Sequence, residues 1–218
     1  MQAQVVSLSV ATDRALHGPG PGASALRAIL DPEVNLALWR RESPPGVAAE
    51  VARLSAASCP DLRCRAARAS RAADIETLLR DGGLDASRFQ HWIADMTALV
   101  ERFADLVEDR PMTLRIETLA DDGCRRFHVD RTHLRLVCTY RGPGTEWLAN
   151  PQVDREALVS GQPNEAILRH GEPRRMAPFW VGVMRGECFP GNAGKGLVHR
   201  SPSIGGTGQV RVLFCLDA

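Results

Sequence analysis

The sequence predicts an α+β chain, an N-terminal helical layer packed on a C-terminal antiparallel β-sandwich or barrel of jelly-roll type. Three observations predict it. Over 86–108 the apolar residues fall on one helical face. From Met112 the texture changes to short β-like runs punctuated by glycine and proline. The last run, QVRVLFCL (209–216), is apolar on both faces, so both sides of that strand are covered. A sheet backed by helices on one side, with a filled or liganded interior on the other, satisfies all three.

The elements follow in order. Residues 1–22 end in HGPGPG, a breaker-rich run that reads as a loose arm. VNLALW (34–39) reads as a short strand closed by SPP. Two helical segments come next, with Val47, Val51 and Leu54 on one face and Ile75, Leu78 and Leu79 on another. In the 86–108 helix Phe89, Trp92, Ile93, Met96, Leu99, Val100, Phe103, Leu106 and Val107 keep a 3.6-residue period, with Asp85 as N-cap and Pro111 past the end. Such a stripe is core, and it needs a large apolar partner. The β runs supply one: MTLRIETL, CRRFHVD, HLRLVCTY, APFWVGVM, GLVH and QVRVLFCL. The predicted organisation is an arm (1–22), a mainly helical layer (23–110) and a β core (111–218), the last two forming one unit.

Composition excludes several classes. The 218 residues carry 27 basic and 26 acidic side chains, net +1, so no basic field advertises nucleic acid. The arginines at 63, 65, 68 and 71 read as a solvated helix face or loop. No segment approaches about 18 uninterrupted apolar residues, which predicts no membrane span. MQAQVVSLSVATDR lacks the basic and apolar regions of a signal peptide. Six cysteines make a poor disulfide framework; Cys138 and Cys215 fall in apolar runs, and Cys59 and Cys64 have no second pair at finger-like spacing. A reducing cytoplasm fits this usage.

The chemistry concentrates in CRRFHVDRTHLRLVCTYRGPGTEW (124–147). In a strand, residues i and i+2 share a face, so His128 and Asp130 project together as half of a metal site. Two histidines and one carboxylate complete such a site, and the third ligand comes from His133, His170 or His199. His133 faces differently if the strand continues, and His170 lies in RHGEPRR, an exposed turn. His199 ends a short apolar run, and a hairpin near Gly205–Gly206 returns Arg211 to its level. A guanidinium beside a metal site inside a barrel binds a carboxylate bidentately. The bland alternatives are a buried hydrogen-bonded His128–Asp130 pair, an ion pair of Arg211 with Glu117 or Asp217, loop packing for Cys188 and core packing for Trp147 and Trp180.

The order His-Val-Asp, a long gap, His199 and then Arg211 resembles the iron(II)- and 2-oxoglutarate-dependent oxygenases. Arg135, Thr139-Tyr140 and Gly142-Pro143-Gly144-Thr145 resemble the tract after HxD in prolyl-hydroxylase-like members. The resemblance covers about 112–216. It implies a double-stranded β-helix of cupin-like, jelly-roll type, with His128, Asp130 and His199 binding Fe2+. It also implies 2-oxoglutarate as cosubstrate on Arg211, with Tyr140 and Thr139 nearby, and an unidentified small-molecule or protein substrate. Gly142-Pro143-Gly144 departs from the family's paired glycines. The whole chain is also similar to a small bacterial family known as a domain of unknown function, through VNLALWRR, FHVDRTHLRLVCTYRGPGTEWL, KGLVHRSPS and RVLFCLD. A cupin-like protein holding Zn2+ without oxygenase activity is the competing expectation, since the same ligands suit zinc.

Overall fold

The longest helix forms where the apolar period is cleanest, and its N-terminus is capped from outside its own segment. In the computed structural model, which describes residues 22–218 except 56, 58–60, 71 and 109, the expected arm lies outside the described residues up to 21, as does Cys59. The chain runs α1 (Gly22–Leu26), β1 (Leu36–Trp39), α2 (Val47–Val51), β2 (Leu62–Ala66), α3 (Ala72–Asp81), α4 (Gln90–Leu106), β3 (Met112–Leu119), β4 (Leu134–Arg141) and β5 (Glu146–Trp147). It continues through α5 (Arg155–Val159), α6 (Asn164–Ile167), β6 (Arg174–Arg175), β7 (Val181–Arg185), β8 (His199–Arg200) and β9 (Arg211–Asp217). All nine residues of the predicted stripe are buried. Asp85 caps a separate 3-10 turn over Ala86–Arg88, accepting from the Ser87 N–H at 3.2 Å. The first amides of α4 go instead to the Glu50 carboxylate of α2, from His91 at 3.1 Å and Trp92 at 2.8 Å. Orphan amides and the helix dipole both favour an anion there.

Among the described residues six strands form one antiparallel sheet in the order β1-β7-β4-β9-β3-β2, and three form a second, β6-β5-β8. Strand alternation sorts the large sheet's side chains. Even-numbered residues of β3, β4 and β9, such as Ile116, Leu136, Tyr140 and Phe214, join the helices in one core. Odd-numbered ones face the small sheet: Val137 and Leu213 meet Trp147, Met176 and Leu197 there. A third cluster, Phe127, Leu148, Val153, Ile167 and Val198, seals the outer side of the small sheet under α5 and α6. Full burial of each large apolar side chain contributes about 1.5–3 kcal/mol, and α4 buries Trp92, Ile93, Met96, Leu99, Val100 and Phe103 completely or nearly so. β9 is covered on both faces, as its sequence requires. Among the described residues no helix is long and apolar enough to cross a membrane.

Several expectations change. The arginine-rich segment is β2, an edge strand with Arg63 and Arg65 exposed while Leu62 and Ala66 point inward. An edge strand solvated on one side imitates a polar loop, because half its positions carry charge. CRRFHVD forms no strand beyond one bridge between His128 and His199. The strand in APFWVGVM begins at Val181, after a turn in which Phe179 adopts φ +66°. In GLVH only His199 pairs as a strand, with Arg200. The turn at 205–208 is not a hairpin: β8 belongs to the small sheet and β9 to the large one, so the chain switches sheets there.

Candidate metal centre

The site begins with backbone pairing. His128 and His199 exchange both hydrogen bonds, N–H to carbonyl at 3.0 Å in each direction, and this sets their imidazole centroids 4.5 Å apart. Asp130 opens a loop that lacks a strand of its own. Backbone donors of the segment after β7 hold it: Glu187 N–H to the Asp130 carbonyl at 2.8 Å, Cys188 to Thr132 at 3.1 Å, and Gly186 to His133 at 3.2 Å. This close approach requires glycine at 186, where a Cβ would fall 2.1 Å from the Thr132 carbonyl oxygen. Gly186→Ala is therefore expected to cost about 1–3 kcal/mol by overpacking. A denaturant midpoint equal to wild type would show that the loop yields freely.

The imidazole tautomers follow from their partners. His128 Nδ1 lies 2.8 Å from the Arg126 carbonyl and His199 Nδ1 lies 3.1 Å from the Leu197 carbonyl. A carbonyl only accepts, so each Nδ1 carries a proton, and in the neutral ring each Nε2 presents a lone pair. Both Nε2 atoms face Asp130, His128 at 3.8 Å from Oδ1 and His199 at 3.3 Å from Oδ2. One ligand atom from each residue lies within 4.8 Å of the others. Arg135 donates to Asp130 Oδ1 at 2.6 Å, whereas Oδ2 is buried with no hydrogen-bond partner. Burial, outweighing the pull of the Asp130 carboxylate, drives His199 down to about 4, so at neutral pH it is an uncharged donor. With neutral imidazoles, two lone pairs and an orphaned carboxylate oxygen converge on one point. This donor set fits a divalent cation, and it leaves the hydrogen-bonded His–Asp pair without its hydrogen bond.

Arg211 closes the other end of the same space. It is 1 % exposed. Its Nε donates to the Pro143 carbonyl at 3.0 Å, Nη1 to Ser201 Oγ at 3.2 Å, and Nη2 to Thr145 Oγ1 at 2.9 Å and Thr139 Oγ1 at 3.5 Å. Neither suggested ion-pair partner reaches it. Glu117 is taken by Arg115 at 2.5 Å, and Asp217 by Arg115 at 3.2 Å and Arg135 at 2.5 Å. Among the described residues no carboxylate pairs with Arg211, and burial lowers its pKa. A cavity of about 340 Å³ between the sheets is lined by His128, His199, Arg135 and Arg211 together.

The structure separates the remaining candidates. Thr139 lies beside Arg211, on the inner face of β4. Tyr140 does not join the site: it occupies the helix face, with its hydroxyl 2.6 Å from Asp95 Oδ2 and burial raising its pKa. Successive strand residues point to opposite faces, so Thr139 and Tyr140 cannot both face the cavity. His133 stacks on Phe189 with ring centroids 4.6 Å apart, and His170 is exposed. Cys188 is exposed and bonds the Arg131 carbonyl, while Trp147 and Trp180 pack between the sheets. Arg135, Asp217, Thr145 and Ser201 were not among the expected site residues. The odd-numbered register of β4 and β9 identifies the first two once Arg211 is set inward.

No curated protein matches the sequence. Among solved structures, the chain is similar to the rice dioxygenase for auxin oxidation, with 17 % identity, 93 % of this chain and 80 % of that one covered, and a TM-score of 0.51. It also aligns with a Pseudomonas putida prolyl-4-hydroxylase, with 11 % identity, 90 % and 97 % covered, and a TM-score of 0.43. An oxidoreductase of the 2OG-Fe(II) oxygenase family from Burkholderia pseudomallei aligns at 16 % identity, with 92 % and 91 % covered and a TM-score of 0.38. The likeness to the rice protein establishes the fold as a double-stranded β-helix with a helical layer. Residues 20–217 match the family described as "Protein of unknown function (DUF1826)", and the chain belongs to that family.

Proposed function

We propose that the protein is a non-haem iron(II)- and 2-oxoglutarate-dependent oxygenase of the hydroxylating kind. One observation carries the reading: Arg211 is withdrawn from water, with no carboxylate partner among the described residues, and opens into the cavity that His128 and His199 also line. A buried guanidinium lacking a counter-ion is costly unless a ligand supplies one. Charge balance supports the same ligand. Around the cavity Arg115, Arg135, Arg200 and Arg211 stand against Asp61, Glu117, Asp130 and Asp217. A divalent ion adds two positive charges there, and a dicarboxylate neutralises them.

In this reading His128, Asp130 and His199 hold Fe2+, which with the keto acid supplies oxidation of a C–H bond by dioxygen. The chain's own part is positional. Arg135 fixes one oxygen of Asp130 and turns the other toward the imidazoles; both Nδ1–H groups, bound to carbonyls, keep the rings in register. Thr139, Thr145 and Ser201 orient the Arg211 fork that takes the far carboxylate. The rice protein of like fold is a dioxygenase, which agrees with this assignment. Anaerobic protein is expected to take up Fe2+ and then show a weak visible charge-transfer band that needs both Fe2+ and 2-oxoglutarate. Iron uptake with no keto acid binding by calorimetry would pass the assignment to a cupin-like metal-binding protein, with Zn2+ as the first alternative.

A further inference from the structure

His128 lines two spaces, not one. Beyond the arginine-walled cavity, a groove of about 890 Å³ runs along α5, walled by Val129, Leu158 and Val159 and by Arg126, Arg131 and Arg155. Val159 is 86 % exposed, and the other exposed large apolar side chain among the described residues, Leu30, is at 43 %. Its neighbours Leu158 and Val129 make the patch continuous with the imidazole of His128. The two spaces differ in chemistry. The inner cavity has charged walls suited to a small dianion, whereas the groove is mainly apolar and open to solvent along its length.

Among the described residues three arginines face two carboxylates in the groove, and no direct ion pair joins them. Arg155 donates to the Gly196 carbonyl and to Asn150 Oδ1, each at 2.9 Å, and Arg126 to the Gln162 carbonyl at 2.9 Å. Arg131 is exposed. Among the described residues none of the three pairs with a carboxylate. Glu187 also lines the groove, but it accepts the Gly194 amide at 2.8 Å, and Glu156 is exposed. Burial lowers the pKa of Arg155, and the Glu187 carboxylate across the groove opposes that shift only in part. We propose that this groove receives the primary substrate, and that the substrate is an amphipathic acid. Its apolar body lies on Val129, Leu158 and Val159, and its acidic group meets Arg155 and Arg131. The inference rests on the oxygenase reading for the word substrate; the groove's preference for such a molecule stands on its own walls.

Octanoate serves as probe, with 1-octanol as the uncharged control, followed by saturation-transfer NMR with and without Mn2+ and 2-oxoglutarate. Octanoate is expected to bind about tenfold tighter than the alcohol, the worth of one charge-assisted contact, and Mn2+ is expected to broaden its signals. Val159→Glu, at a solvent-exposed position, is expected to weaken octanoate about tenfold or more by adding a like charge. Arg131→Gln and Arg155→Gln are expected to erase the preference over the alcohol; the Arg131 side chain is exposed and bonds none of the described residues, so the first reads charge without disturbing the fold. All three variants are expected to bind 2-oxoglutarate as wild type does. Equal binding of acid and alcohol, or a Val159→Glu protein with unchanged octanoate affinity, would overturn the inference. Loss of 2-oxoglutarate binding in the wild type would instead overturn the oxygenase reading, with octanoate still testing the groove.

Discussion

Arg211→Leu is expected to weaken 2-oxoglutarate binding by roughly 30- to several-thousand-fold, the equivalent of about 2–5 kcal/mol. The size follows from burial. A bidentate, charge-assisted contact at the closed end of a cavity meets little competition from water, and the truncated site leaves the ligand's far carboxylate without a counter-ion. Metal content is expected to stay normal, because Arg211 touches none of the three proposed ligands. The pair of results matters more than either alone. Calorimetry on the anaerobic, metal-loaded variant reads the first, and metal analysis the second. Wild-type keto acid affinity in this variant would remove Arg211 as the anchor.

The second large effect is at Asp130. Asp130→Asn keeps the volume and removes the charge, and metal affinity is expected to fall by more than about 100-fold, beyond the 10- to 100-fold that loss of an outer-sphere partner costs. The metal-free fold should not suffer in proportion. The orphaned Oδ2 faces the lone pair of His199 Nε2 at 3.3 Å, an arrangement that is unfavourable until a cation occupies it. An amide N–H at that position relieves it, and Arg135 retains Asp217 at 2.5 Å. The thermal midpoint of the metal-free variant is therefore expected to equal or exceed that of the metal-free wild type. Unchanged metal stoichiometry in Asp130→Asn would reject the site.

The candidate ligands were legible as a group because their chemistry is local. His128 and Asp130 are two residues apart, and the run before His199 has strand texture, so the sequence could propose all three. The long helix was legible because a 3.6-residue period sustained over 86–108 has one physical meaning. Register was not legible. Nothing within LVCTYR says whether Thr139 or Tyr140 faces inward; that depends on Leu213 standing opposite Thr139, and on the irregularity that then sets Arg141 opposite Val212. The brace on Asp130 was hidden for a related reason. Arg135, five residues past Asp130, is also held by Asp217 only because β4 and β9 are neighbours, and no local pattern announces that adjacency. β2 was missed because an edge strand carrying arginines on alternate positions has the composition of a solvated loop.

The order of strands in the large sheet carries a kinetic consequence. Of its five pairings only β2 with β3 joins consecutive strands; Leu36 lies opposite Met184, and Thr113 opposite Asp217. Chains dominated by such distant pairings close costly loops before any contact rewards them, and they fold in roughly milliseconds to seconds rather than microseconds. Arg211 lies on the strand that knits β3 to β4, so the cavity it lines exists only after that closure. The helical layer, rich in neighbouring contacts, assembles earlier in such a scheme and waits with its apolar face uncovered. If the proposed function holds, capture of 2-oxoglutarate is thus a late event in the life of each newly folding molecule.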